Sequence, residues 1–152
     1  MTAYQRLETR FARLGALGEA MSVLGWDNAA IMPEGGAGAR QTQLSTLEVV
    51  CHELLTDPAL GDVFAAADQQ NDLDLWQRAN LSEMRRAWQH ATAVPADLVE
   101  ALVKASMSCE MIWRKARPAN DFAMVKPALS EVVNLTRQTA QAQLRTQTLA
   151  RL

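Results

Sequence analysis

Apolar positions recur with an α-helical period from one end of this chain to the other, and no run alternates like a β-strand. The first run predicts a helix over about Thr2–Ile31, with Leu7, Phe11, Leu14, Met21 and Leu24 as its seam. Glycine inside a helix costs roughly 1 kcal/mol relative to alanine. Gly15, Gly18 and Gly25, on or beside the seam, therefore predict the close approach of a neighbouring helix, with a kink near Gly25 as the alternative. Pro33 and the glycines after it break the pattern. The second helix is expected over about Ala37–Leu55, with Leu44, Leu47, Cys51 and Leu54 facing inward.

Asp57-Pro58 reads as a restart, an acceptor at the cap followed by proline at the first helical position. A short third helix follows to about Ala67. Asp72 is expected to cap a fourth, reaching about Thr92, with Trp76, Met84, Ala87, Trp88 and Ala91 as its stripe and Arg85 and Arg86 pointing away. Val94-Pro95 opens a fifth helix to about Arg117, with Leu98, Leu102, Ala105, Cys109, Ile112 and Ala116 along its seam. Asn120-Asp121 caps a last segment that Pro127 is expected to divide into a turn and a helix. Leu129, Val132 and Val133 are its core candidates. Beyond Thr136 the chain is rich in Gln and Thr, and only Leu144, Leu149 and Leu152 remain large and apolar. A helix this polar needs a partner surface or it frays. The stop at Leu152, without a glycine or proline signal, reads as a segment cut from a longer protein or as an ordinary frayed terminus. The whole pattern predicts one all-α domain over residues 1–152, an array of five or six helices with short connections.

Composition narrows the function. With 49% apolar residues the chain can bury a core, so disorder is not expected. Its net charge of −2 lacks the clustered basic excess of a nucleic-acid surface. No apolar run approaches a membrane span, and no signal-peptide core precedes the first helix, so the expected location is the cytoplasm. Cys51 and Cys109 lie in separate helical stripes without CxxC spacing. They read most simply as reduced, buried thiols, with a disulfide or a reactive thiol as the sharper alternatives.

Catalytic constellations are scarce. The two histidines are His52 and His90. A helical zinc motif needs histidines at i and i+4, with a glutamate after the first to act as base. His52-Glu53 begins such a motif, but position 56 is threonine. Glu48 and His52, one turn apart, read as a surface ion pair before a weak metal site. His90 reads as a partly exposed helix residue. No GxSxG elbow is present, and Ser45, Ser106 and Ser108 sit mid-helix, where hydroxyls back-bond to a carbonyl or face water. Gly35-Gly36-Ala37-Gly38 opens a helix and so offers backbone N–H groups to an anion. A turn needing positive φ is the simpler reading. Asp27 opposes the dipole of the first helix unless it caps the next one or pairs with Arg40, and Arg40 is expected to pair with Asp27 or Glu34 across the turn before facing a cleft. The four tryptophans (Trp26, Trp76, Trp88 and Trp113) are expected in the core.

Leu24–Arg40 resembles a known signature. The sequence Leu24-Gly25-Trp26-Asp27-Asn28-Ala29-Ala30-Ile31-Met32-Pro33, with its glycines and Arg40, is similar to the aliphatic-x-Trp-Asp-Gln-x-Thr-x-Met-Pro pattern of the Taq-type zinc metallocarboxypeptidases. Further matches follow in order: Gln43–Leu47, His52–Pro58, Asn80–Trp88, Pro95–Val99, Trp113, Ala119–Phe122 and Pro127–Leu129, fading after about Ala140. Asn28 stands where the family usually has Gln, and Ala30 where it usually has Thr.

The resemblance implies much longer, cytoplasmic, all-α homodimers that remove residues from peptide C-termini. In them zinc or cobalt is held by an HExxH helix and a later Glu. It implies that this chain is similar to the N-terminal lid or wall over the substrate groove. Trp26, Asp27, Met32, Gly35, Gly36 and Arg40 are then candidate cleft-wall or turn-bracing residues. No catalytic and no metal-ligating residue is expected in this chain, which binds no cofactor itself and is inactive alone. A peptide substrate is expected only for the longer enzyme, no nucleic acid or membrane as partner, and a homo-oligomer as the assembly. The alternative is a stand-alone helical interaction or dimerisation module that has lost the enzyme.

Overall fold

A computed structural model describes the backbone of residues 1–149 and the side chains of residues 1–144. Leu149 and Leu152, expected as late apolar positions, therefore have side chains outside the described residues. Six helices form: α1 (Ala3–Ala30), α2 (Ala37–Leu55), α3 (Ala59–Asp68), α4 (Leu75–Thr92), α5 (Ala96–Ala116) and α6 (Phe122–Leu149). A single 3-10 turn, Glu34–Gly36, joins α1 to α2. Among the described residues there is no strand, and no helix is long and apolar enough to cross a membrane.

The starts follow local chemistry. Thr2 caps α1 in a reciprocal box with Gln5, satisfying two backbone donors that a helix leaves unpaired. At α4 the cap is Asp74, in a box with Gln77, and not Asp72. The Asp-x-x-Gln spacing marks Asp74, because the residue three positions on must reach back to the cap. Asp57 accepts from the Ala59 N–H at 2.9 Å and from Arg10 at 2.9 Å. The Ala59 bond first, and then Arg10, hold its carboxyl below the usual range. Helix α6 runs straight through Pro127, so this proline does not divide it. Pro127 has no N–H to give the Ala123 carbonyl, but it lies early in the helix, where the ladder has only begun.

Helix α2 packs between α1 and α5, α3 sits on α1, and α6 lies along α5. Two apolar clusters result. The larger joins Tyr4 and Leu7 of α1, Leu60, Val63, Phe64 and Ala67 of α3, Leu73, and Leu81 and Met84 of α4. The smaller joins Cys109 and Ala116 of α5 to Val125 of α6, with Ile112, Ala128 and Val132 against it. Among the described residues of α6 Val125 and Leu135 are the buried ones, whereas Leu129 and Val133 are 39% and 38% exposed. The face that meets α5 thus carries Val125, Ala128 and Val132, so of the expected set Val132 alone packs there.

The tryptophans also depart from expectation. Trp88 packs on Phe64, but Trp26, Trp76 and Trp113 are 60%, 86% and 50% exposed. Arg85 does not point away: it lies over the Phe64 ring and pairs with Asp68 at 2.6 Å. Its aliphatic stem and planar head both suit an apolar wall near solvent.

The glycines of α1 admit no close neighbour. Nothing lies within 4 Å of a Cβ built at Gly15, Gly18 or Gly25. Gly18→Ala is therefore expected to raise stability by about 0.5–1 kcal/mol, through the unfolded chain's lost freedom. Thermal unfolding checks this, and a lowered midpoint would reveal an unseen contact.

Candidate functional site around the turn between α1 and α2

The α1–α2 turn is built from its backbone outward. The N–H groups of Ile31 and Met32 both donate to the Asp27 carbonyl, at 3.1 and 2.9 Å, and close the helix. Pro33 then redirects the chain into the 3-10 turn. No glycine here, or elsewhere among the described residues, takes positive φ; the one positive value is 53° at Asn120. The glycine run therefore does not serve a left-handed turn. Gly36 matters through space instead, since an added Cβ would come within 3.0 Å of the Met32 side chain.

Arg40 reaches back from α2. One guanidinium nitrogen pairs with Asp27 at 2.6 Å, another donates to the Leu24 carbonyl at 2.6 Å, and Nε donates to Gln43 at 3.0 Å. The side chains of Arg40 and Asp27 are 15% and 28% exposed, so this is a largely covered pair. It neutralises a carboxylate held against the negative end of α1. Of the six candidate residues, the structure joins Asp27 with Arg40 and Met32 with Gly36. It leaves Trp26 exposed and Gly35 with nothing nearby.

Sequence reasoning missed a second tether. Asn28 is 5% exposed and faces α5. Its carbonyl accepts from Arg114 at 2.6 Å, and Arg114 pairs with Glu110 at 2.6 Å. Asn28 Nδ2 donates weakly to Glu110 at 3.4 Å, and its Oδ1 has no partner among the protein atoms. The i, i+4 spacing of Glu110 and Arg114 was the available signal, but nothing in sequence says which backbone carbonyl Arg114 will reach.

Away from the turn, a groove of about 570 Å³ opens along the first two-thirds of α1 and the second half of α2, lined by Phe11, Leu14 and Met21 of α1, Glu48, Cys51 and His52 of α2, His90 of α4, and residues of α5 and α6. Glu48 and His52 share it without forming an ion pair, which corrects the surface-pair expectation. Burial pushes the Glu48 carboxyl up. It also holds the His52 imidazole down, against the opposing pull of Glu53. The Cys51 thiol is raised by burial and by Glu48, which favours its protonated form. Both cysteines are free thiols.

A raised carboxyl binds its proton more tightly in the folded chain, so stability falls as pH rises from the ordinary carboxylate range to the raised value. His52 has the opposite sign: its lowered value costs stability as pH drops below the ordinary imidazole range. Glu48→Gln should therefore raise the thermal midpoint at neutral pH and leave it unchanged in acid, where the carboxyl is protonated in both states. An equal gain at both would contradict the assignment.

Among the described residues no three His, Cys, Asp or Glu side chains gather closely enough to hold a metal ion. A catalytic zinc takes three protein ligands, so the residues present do not fit one.

Residues 6–150 match the carboxypeptidase Taq (M32) metallopeptidase family. The chain belongs to that family. It is 30% identical over 141 residues to thermostable carboxypeptidase 1 of Thermus thermophilus, covering 91% of this chain and 26% of that protein. To the Pyrococcus furiosus protein of the same name it is 26% identical over 137 residues, covering 90% of this chain and 28% of the relative. The solved Trypanosoma cruzi metallocarboxypeptidase 1 aligns with a TM-score of 0.71 at 32% identity, over 92% of this chain and 28% of that one. The Pyrococcus furiosus carboxypeptidase structure gives 0.72 at 25%, over 93% and 29%. The chain thus spans little more than a quarter of the length of these metallocarboxypeptidases, whose family name implies a metal in the complete enzymes.

Proposed function

We propose that this chain is the N-terminal helical domain of a metal-dependent carboxypeptidase that removes C-terminal residues from peptides, and that it does not hydrolyse peptides by itself. The observation that carries this reading is the extent of the match. It runs through residues 6–150 of the chain yet covers only 26–28% of the curated relatives. The sequence offers two histidines, and its His52-Glu53 pair is followed by Thr56 where a zinc helix needs histidine. Zinc or cobalt, as metal of the complete enzyme, is then held by residues other than those described.

On this reading the apolar groove between α1, α2, α5 and α6 is a face that further protein covers. The turn braced by Asp27 and Arg40 fixes the angle between two helices of a wall beside the substrate. The complete enzyme works as a cytoplasmic homodimer on peptides, with neither nucleic acid nor membrane as partner.

A second reading, a stand-alone helical interaction module, draws on the exposed Val23 and Trp26 of α1 and Ile31 just after it. Reading the genomic frame past codon 152 separates the two. An open frame continuing to an HExxH helix supports the enzyme domain, and a native stop supports the module.

A further inference from the structure

The first turns of α1 and α4 enclose another groove, of about 480 Å³, far in the sequence from the α1–α2 turn and lined by Tyr4, Glu8, Trp76, Asn80 and Glu83 with Gln77 and Ala79. Its floor is rigid. Tyr4 is 4% exposed, its hydroxyl accepts from Asn80 at 3.0 Å, and its N–H donates to Gln70 at 2.8 Å. The Asp74–Gln77 capping box fixes the turn that carries Trp76.

The walls combine two features. Trp76 stands 86% exposed, beside Leu75 at the same exposure. A large indole so placed buries almost nothing, so it adds little to folding. The charged side chains lining the groove are both carboxylates. Glu8 makes no ion pair among the described residues, and Glu83 pairs at 2.7 Å with Arg86, both well exposed, which is a weak and exchangeable contact.

We propose that this groove is a docking site for a basic side chain, a Lys or Arg of a partner peptide segment that also carries an apolar residue. The cation sits against the Trp76 ring and the Glu8 carboxylate, and its methylene stem lies over Ala79. Leu75 meets the neighbouring apolar residue. Charge complementarity selects this occupant: an acidic segment would face two carboxylates, and a neutral apolar one would leave Glu8 desolvated and unpaired.

The test is an NMR titration of the ¹⁵N-labelled chain with the capped peptide acetyl-Leu-Arg-Arg-Leu-amide, and with the same peptide carrying citrulline in place of arginine. The arginine peptide should shift the Trp76 indole N–H and the Glu8 amide saturably in the high micromolar to millimolar range, and less at high salt. Trp76→Ala and Glu8→Gln should each weaken binding by about threefold, the size of an exposed cation–π contact or ion pair. Both positions are exposed, so neither change threatens the fold. Equal shifts with the citrulline peptide, shifts mapping elsewhere, or none at millimolar peptide would overturn the proposal. Shifts that follow the chain's own concentration without peptide would assign the groove to a second copy and overturn it equally.

Discussion

Phe64→Ala is expected to lower the free energy of unfolding by about 3–5 kcal/mol, the largest loss of any single truncation proposed for this chain. Phe64 is fully buried and sits where α1, α3 and α4 meet. Its ring packs on Trp88 with centroids 5.1 Å apart and lies under the Arg85 guanidinium at 4.9 Å. Arg85 in turn donates to the Phe64 carbonyl at 3.3 Å and to Asp68 at 2.6 Å. Truncation opens a cavity that rigid neighbours on three helices cannot close, and it removes the surface on which Arg85 rests. Against a typical total of roughly 5–15 kcal/mol, such a loss brings the fold close to its limit. Urea unfolding checks it: the midpoint should fall with little change in slope. A loss under about 1 kcal/mol would mean that the site collapses freely, against the packing described.

Arg40→Met should cost about 2 kcal/mol and loosen the α1–α2 turn. The guanidinium serves three acceptors at once, the Asp27 carboxylate, the Leu24 carbonyl and Gln43. Removing it leaves a largely covered carboxylate against the negative end of a helix. Arg40→Lys should rescue little, because an ammonium on a single-point head cannot span all three. A double-mutant cycle with Asp27→Asn should return a coupling of about 1 kcal/mol or more. Additive losses would show that the two side chains act independently.

Much of this fold was readable in the order of residues, and the exceptions share a cause. Helix α2 forms over the expected residues and α1 within one residue at each end, because Pro33, the glycines and the Thr2 cap act locally. The Asp27–Arg40 pair was also legible, since a carboxylate at a helix C-terminus demands a cation and one stood a short turn away. Family membership was readable from an ordered series of short motifs, and the match over residues 6–150 confirms it.

What failed depended on where other helices lie. Trp76 shares a helical stripe with Met84, yet its ring at the start of α4 is left 86% exposed, and Trp113 sits at the edge of the α5–α6 contact. Of the expected α6 core residues Val132 packs against α5, whereas Leu129 and Val133 do not, because neighbouring apolar residues are equally good candidates until contact with α5 chooses between them. Positive φ was expected of the glycine run, but a 3-10 turn reverses the chain with ordinary right-handed geometry. Asn28 drew notice only as a departure from a pattern, and its burial against Glu110 and Arg114 is a tertiary fact.

The most direct measurement is hydrolysis of a C-terminally unblocked dipeptide or short peptide by the purified chain, supplemented with zinc or cobalt. The account predicts no release of the terminal residue above the metal-only control, for wild type and His52→Ala alike. Turnover by the wild-type chain that disappears in His52→Ala would contradict it, because it would place the hydrolytic centre among these helices.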